Sequence, residues 1–234
     1  MFPSSLPTGE GRGGVEGPFQ CGHCCGACAR KGKHGDTQLY KCHACGKYQR
    51  HHYRNKACAP GVDGRITTYV REGGGIRSIA RIIGISASTV VARIKSIAAR
   101  LGLGIIPEGR VYEVDELSTY VGHRKNRVWV AYALDRKVKR IVSLRVGKRS
   151  KRMLRPLVET LVLADAKRIC TDGLDLYRFL VPVAIHSVKR FGTNHIERMN
   201  LNLRTHLKRL ARRSICYSKS LVMLQACVAI YCWI

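Results

Sequence analysis

Six of the eleven cysteines fall between Cys21 and Cys45, in the segment CGHCCGACARKGKHGDTQLYKCHACGK. Cys21 and Cys24 form one C-x2-C pair and Cys42 and Cys45 another, with seventeen residues between the pairs. Two such pairs let four thiolates surround a zinc ion tetrahedrally while the intervening chain forms a hairpin. Cys25 and Cys28 make an overlapping third pair, and His23 and His43 lie close by, so ligand choice stays open. Cys21, Cys24, Cys42 and Cys45 are preferred because Gly22 interrupts the first pair and Gly46 follows the second, where a tight turn is needed. A unit this small has little core, so structural Zn²⁺ supplies much of its folding energy. Cys58, Cys170, Cys216, Cys227 and Cys232 lack partner spacing and read as buried apolar residues.

A second set of chemical groups is acidic. Only nine acids occur among the 124 residues from Val111 on. Asp115 ends the apolar run VYEVDE, Asp172 ends RICTDG, and Glu197 follows on a helical pattern with twenty-four residues between it and Asp172. Carboxylates at two strand ends and a helix start can converge on one sheet edge. Hard oxygen ligands of that kind suit Mg²⁺ (or Mn²⁺), and two ions could serve phosphodiester chemistry. Glu113, Glu116 and Asp175 are alternative acids, and Glu113 shares the face of Asp115 by strand alternation. On the helix, Glu197, Asn200, Arg204 and Lys208 fall at i, i+3, i+7 and i+11. They form a polar stripe beside the apolar stripe Ile196, Met199, Leu203, Leu207 and Leu210.

These groups need elements to hold them. Residues 1–18 are rich in Gly, Pro and Ser and read as a flexible tail, 19–56 as a zinc ribbon, and Ala57–Gly64 as a linker. Residues 62–102 carry a helix–turn–helix pattern. Ile76, Ile79, Ala80 and Ile83 share a face, Gly84 permits the turn, and Ser86 caps a helix striped by Val90, Ile94, Ile97 and Leu101. An upstream helix near Val62–Arg71 completes a three-helix bundle. Its second helix places Ala87, Ser88, Thr89 and Arg93 toward base edges, with Arg77, Arg81, Lys95 and Arg100 toward phosphates. Leu101–Gly109 is a second break.

From 110 to 234 strands are expected at Val111–Glu116, Val128–Leu134, Ile141–Val146, Arg168–Asp172 and Ala184–Val188. Helices are expected at Lys151–Ala164, briefly after Asp172, and from Thr193 to Arg213. That order is the grammar of an α/β ribonuclease-H-like fold. The fold class is therefore multi-domain: a zinc ribbon, an all-α helix–turn–helix, then an α/β domain.

Composition agrees with a polyanionic partner. Lys and Arg total 42 against 15 Asp and Glu, a net charge of +27, which favours nucleic acid. An apolar run of about 18 residues is missing, so no membrane partner is expected. The odd cysteine count and the lack of a secretory signal argue for a reducing compartment, and with the basic charge a cytoplasmic, nucleoid-associated location is expected.

The segments EVDELSTYVGHRKNRVWVAYALDR, TDGLDLY and HIERMNLNLRTHLKRLARRSICYSKS together resemble the catalytic part of insertion-sequence-1 family transposases. The ribbon and helix–turn–helix resemble that family's DNA-binding part. The resemblance implies a DDE transposase whose metal-bound Asp115, Asp172 and Glu197 direct strand cleavage and then strand transfer. It also implies that Arg204 is the basic residue seven positions beyond the glutamate. The implied partners are double-stranded DNA, both terminal inverted repeats and target, and a further copy of the chain, at least a dimer in the active complex. The competing reading is a non-catalytic repressor that uses the ribbon and helix–turn–helix alone.

Overall fold

A computed structural model describes residues 19–50, 55–102, 105–189, 192–211 and 216–234. The expected tail, 1–18, lies outside them. The chain forms two compact units, Met1–Gly61 and Val62–Ile234.

The first unit is a three-stranded antiparallel sheet of β1 (Cys28–His34), β2 (Thr37–Cys42) and β3 (Tyr48–Arg50), in that order. Its interior is sparse. Tyr40 is buried under Phe19, with ring centroids 4.2 Å apart, and Gln49 is the buried polar residue.

The second unit opens with α1 (Val62–Arg71), α2 (Ile76–Ile83) and α3 (Ala87–Arg100). The expected linker therefore ends earlier than Gly64, because α1 already begins at Val62 and buries Val62, Ile66 and Val70. Gly84 closes α2 in a left-handed conformation (φ 75°), and Ser86 caps α3 by accepting the Thr89 N–H. The axes of α2 and α3 turn by 106°.

There follow β4 (Val111–Val121), β5 (His123–Asp135), β6 (Arg140–Gly147), α4 (Lys151–Leu163), β7 (Arg168–Cys170), α5 (Asp175–Arg178), β8 (His186–Ser187), α6 (Asn194–His206) and α7 (Leu221–Trp233). The strands form one sheet in the order β6-β5-β4-β7-β8. The pairs among β4, β5 and β6 are antiparallel, whereas β4, β7 and β8 run parallel. Alternation sorts β5: Val130, Tyr132 and Leu134 face one core with α6 and α7, and Ala131 and Ala133 face the other with α4 and α5.

Further expectations change. β4 runs past the expected Glu116 to Val121, so Asp115 stands inside the strand and not at its end. β5 begins five residues before Val128, because a turn at Gly122 (φ 76°) pairs the polar run 123–127 back onto β4. The long helix stops at His206, and the expected end at Arg213 lies outside the described residues. After it Leu207 turns extended and a 3-10 turn, Lys208–Leu210, follows, with the Arg209 carbonyl accepting a bond from Thr119. Lys208 therefore leaves the helical stripe. Finally, α7 was not expected. It is apolar on every side and packs its Leu224, Val228 and Ala229 into the core that also receives Leu101 at the end of α3. The helical trio thus meets the sheet domain through Leu101 and α7. Among the described residues no single helix is long and apolar enough to cross a membrane.

Candidate active site

The parallel pair β4 and β7 ends its ladder at Glu113 opposite Cys170. Asp115 and Asp172 each stand two residues further on, at matched positions where the two strands part. Gly173 (φ 85°) turns the chain away, and the Leu174 N–H donates to Asp172 Oδ1 at 3.1 Å. Asp115 is held twice: Oδ1 accepts the Glu116 N–H at 2.7 Å and Oδ2 accepts Asn200 Nδ2 at 2.6 Å. Asn200 is oriented in turn by the Tyr132 hydroxyl, which donates to its Oδ1 at 2.8 Å.

Glu116 joins the two aspartates. One carboxylate oxygen from each of Asp115, Glu116 and Asp172 lies within 4.8 Å of the others. Glu116 belongs to the opposite face of β4, where Tyr177 donates to its Oε1 at 2.8 Å. Among the described residues no strand pairs with β4 on the β7 side between Glu113 and Val121, where Ser218 bridges it, so both faces reach the gap. Burial, reinforced by Asp172 and Asp115, pushes the Glu116 carboxyl up to about 7. Burial also raises Asp115, with Asp172 and Glu197 adding to it against the bonds from Glu116 and Asn200. Three carboxylates this close repel one another, and a divalent cation would reverse that cost.

Glu197 sits in the first turn of α6 outside that tightest group. It is close enough to raise Asp115, and its Oε1 accepts the Thr193 hydroxyl at 3.0 Å. What docks α6 is Glu113, a residue weighed from the sequence only as an alternative acid. Fully buried, it accepts bonds from the Ile196 N–H and His195 Nδ1, both at 2.8 Å, and lies 3.4 Å from Arg136 Nε. Arg204 points its guanidinium at the Leu210 carbonyl, 3.4 Å away. Lys208 is exposed in the turn after α6.

In the first unit the sulfurs of Cys21, Cys24, Cys42 and Cys45 all lie within 4.8 Å of one another. Cys21 and Cys45 are 3.6 Å apart, and Cys24 and Cys42 are 3.5 Å apart. The two knuckles repeat one geometry: the Cys25 N–H returns to the Cys21 carbonyl as the Gly46 N–H returns to Cys42. Cys25 (φ 58°) thus occupies the left-handed position that Gly46 (φ 69°) fills in the second knuckle. Burial works to raise the Cys21 thiol, but the N–H groups of His23 and Cys24 and the neighbouring thiols bring it down to about 6. Gln49 Nε2 donates to Cys21 Sγ at 2.8 Å. Cys28 stands beside the four, 3.7 Å from the same amide.

Of the expected DNA contacts, Arg77, Arg81, Ala87, Ser88, Lys95 and Arg100 are exposed, and Thr89 and Arg93 are half-buried. Arg93 and Arg100 both pair with Asp63, at 3.3 and 2.7 Å, so either must leave that carboxylate to meet another anion. The Ser88 and Thr89 hydroxyls engage the cap at Ser86. Lys95 borders a groove shared with Arg145 and Trp233.

A mixed sheet with an acidic edge, flanked by helices on both faces, is thus joined to a basic helical trio and a four-cysteine sheet. Residues 110–234 match the family model for the IS1 transposase. Over 108 residues the chain is 40% identical to the insertion element IS1 4 protein InsB of Escherichia coli (strain K12), a stretch covering 46% of this chain and 65% of that protein. It is 38% identical over 108 residues to the insertion element IS1 protein InsB of Shigella flexneri, again 46% of this chain but 82% of the relative. A chain of the simian T-cell lymphotropic virus intasome in complex with PP2A regulatory subunit B56 gamma overlays 71% of this chain and 67% of its own length. Its TM-score is 0.37 at 15% identity, too low to support anything further. The chain belongs to the IS1 transposase family.

Proposed function

We propose that this chain is the DNA transposase of an insertion sequence, binding terminal inverted repeats and catalysing DNA strand cleavage and transfer. The observation that carries this reading is the meeting of Asp115 and Asp172 past the last rung between β4 and β7, with Glu197 on the helix that Asn200 ties to Asp115. The strand order, three antiparallel and two parallel, supports a ribonuclease-H-like domain for residues 110–234.

The oxygens of Asp115, Glu116 and Asp172, at these separations, fit Mg²⁺ or Mn²⁺, and Glu197 would complete the set from α6. Bound there, such ions would make a nucleophile available at neutral pH and stabilise the leaving oxygen of a phosphodiester. The chain supplies the positioning. Asn200 and Tyr132 fix the Asp115 carboxylate, Glu113 fixes the start of α6, and Arg204 serves the phosphates of the bound strand. Asn200 and Lys208 border the same path. Water cuts one strand at each element end, and the freed 3′-OH then attacks target DNA in a second in-line displacement. Most of the rate comes from alignment and charge.

The 106° turn at Gly84 and the Ser86 cap support a helix–turn–helix in residues 62–102. In that role α3 would lie in the major groove, with Ala87, Ser88, Thr89 and Arg93 toward bases and Arg77, Arg81, Lys95 and Arg100 toward phosphates. The four sulfurs fit structural Zn²⁺: bonds of about 2.3 Å give tetrahedron edges of about 3.8 Å, close to the 3.5 and 3.6 Å seen. Two element ends must be held together, so the active complex is at least a dimer, working at the nucleoid.

Strand transfer on a labelled inverted-repeat duplex with Mg²⁺ tests the reading. Wild-type cleavage that disappears in Asp172→Ala, with duplex binding retained, is the expected result. Metal-independent binding with no nicking in any variant would leave a passive repressor instead.

A further inference from the structure

α6 presents two further sides flanking its buried stripe of Ile196 and Leu203. Glu197, Asn200 and Arg204 lie on one, and Met199, Asn202 and His206 on the other. The second side borders a cavity of ≈ 330 Å³, walled also by the end of α1, the β5–β6 hairpin and the end of α7. Its lining carries Arg71, Lys139, Arg140 and His206 against one carboxylate, Glu72. Among the described residues neither Arg71, Lys139 nor Arg140 has an ion-pair partner within 4.0 Å. His206 Nδ1 lies 2.6 Å from the Tyr231 hydroxyl.

Helix ends account for part of this charge. Arg71 closes α1 and His206 closes α6, where free carbonyls carry roughly half a negative charge per helix. Lys139 and Arg140 answer no helix end. They come from the hairpin turn and the first residue of β6 and add positive charge to a concavity that already holds enough. Like charges gathered there raise one another's energy, and an anion among them lowers it. At about 30 Å³ per water the space holds on the order of ten waters. That suits a phosphate group with part of its hydration shell better than a large cofactor.

We propose that this cavity is a phosphate subsite for the nucleic-acid backbone, in which Arg71, Lys139, Arg140 and His206 seat a phosphodiester of bound DNA. The proposal rests on the reading of the chain as a DNA-processing enzyme and adds four contacts to it, none among those expected from the sequence. The subsite and the carboxylates lie on different sides of α6, so the phosphate held here is not the one that reacts. It anchors the duplex, and it bridges α1 of the helical trio to the sheet. Its removal therefore lowers affinity and leaves the chemical step intact.

The test uses the full, zinc-loaded chain and an inverted-repeat duplex, with binding followed by anisotropy across roughly 50 to 200 mM salt. Each lost phosphate contact lowers the slope of log K against log salt by about 0.9. Arg71→Ala/Arg140→Ala is expected to lower the slope by about 0.9, the share of one phosphate, and to raise the DNA concentration needed for half-maximal cleavage. A control pair on the exposed side of α4, Arg152→Ala/Arg155→Ala, should leave the slope unchanged. Inorganic pyrophosphate should raise the unfolding temperature of the wild type and not of the Arg71/Arg140 variant. An unchanged slope in that variant, or an equal fall in the control, overturns the proposal. Pyrophosphate protection with an unchanged slope also overturns it, leaving a site for small phosphates only. Wild-type protein that binds no duplex would sink the transposase reading itself, while the pyrophosphate arm would still report on the cavity.

Discussion

Glu113 accepts bonds from the Ile196 N–H and His195 and faces Arg136 while showing no surface to solvent. The cap residue of α6, Thr193, makes no capping bond of its own, so Glu113 caps that helix from β4. Glu113→Gln keeps the acceptor for Ile196 but removes the charge-assisted contacts. It should cost about 1–3 kcal/mol in urea unfolding and weaken divalent binding, because Glu197 rides on the same turn. Equal stability and equal Mg²⁺ titration would show that α6 docks without it. Glu116 gives a second prediction. An unfolded glutamate titrates near 4.5, whereas Glu116 in the fold titrates near 7. Between those values the folded state binds the extra proton, so the stability this group adds is complete below the unfolded pKa and is lost as pH climbs through about 7. The urea midpoint of metal-free protein should fall from about pH 5 to about pH 8, and Glu116→Gln should flatten that fall. Divalent binding should tighten over the same window, because the ion needs the carboxylate ionised. Asp115 and Asp172 are legible in the sequence because each ends an apolar run. Glu116 is legible only as an alternative acid, because strand alternation puts it on the face opposite Asp115 and only the missing neighbour beyond Cys170 brings the two together. The role of Glu113 depends on a contact 82 residues away and leaves no local trace.

At the level of elements, periodicity predicts α2 and α3 because each has one apolar face, with Gly84 stopping the first and Ser86 starting the second. It misses α7, whose apolar residues surround the helix, and it runs α6 too long, because the stripe continues through Leu207 and Leu210 after the helix has stopped. Only tertiary contacts explain that stop: a Cβ at Gly73 would fall 2.2 Å from the His206 carbonyl, and Thr119 takes the Arg209 carbonyl. The cysteine knuckles show the same limit. Spacing identifies four ligands but does not show that Cys25 fills the left-handed place of a glycine. Outside glycine that conformation costs about 1–2 kcal/mol. Cys25→Gly should therefore stabilise the zinc-bound ribbon by about 1 kcal/mol and leave zinc stoichiometry at one. Competition with a chromophoric chelator measures both. Loss of zinc in this variant would make Cys25 a ligand and displace one of the four.

The whole molecule divides between a unit stabilised by sulfur and one stabilised by burial. In the first, the buried residues among those described are few: Cys21, Tyr40, Cys42, Gln49 and Ala57, two of them candidate ligands. The second encloses two cores on either face of a five-stranded sheet, one of them reaching from α7 to the end of α3. Folding of the first should therefore depend on metal, whereas folding of the second should not. The chain reports the two separately. Both tryptophans, Trp129 and Trp233, lie in the second unit, and the Trp233 indole donates to the Ile141 carbonyl at 3.2 Å. Chelating zinc should make the ribbon cysteines reactive to a thiol reagent within the dead time of mixing. The urea transition followed by tryptophan fluorescence should keep its midpoint. Binding of inverted-repeat DNA should weaken in parallel with zinc loss, because the ribbon is read as part of the recognition surface. A tryptophan transition that moved with zinc would mean that the two units fold as one. Full DNA affinity after complete zinc loss would confine recognition to the helical trio.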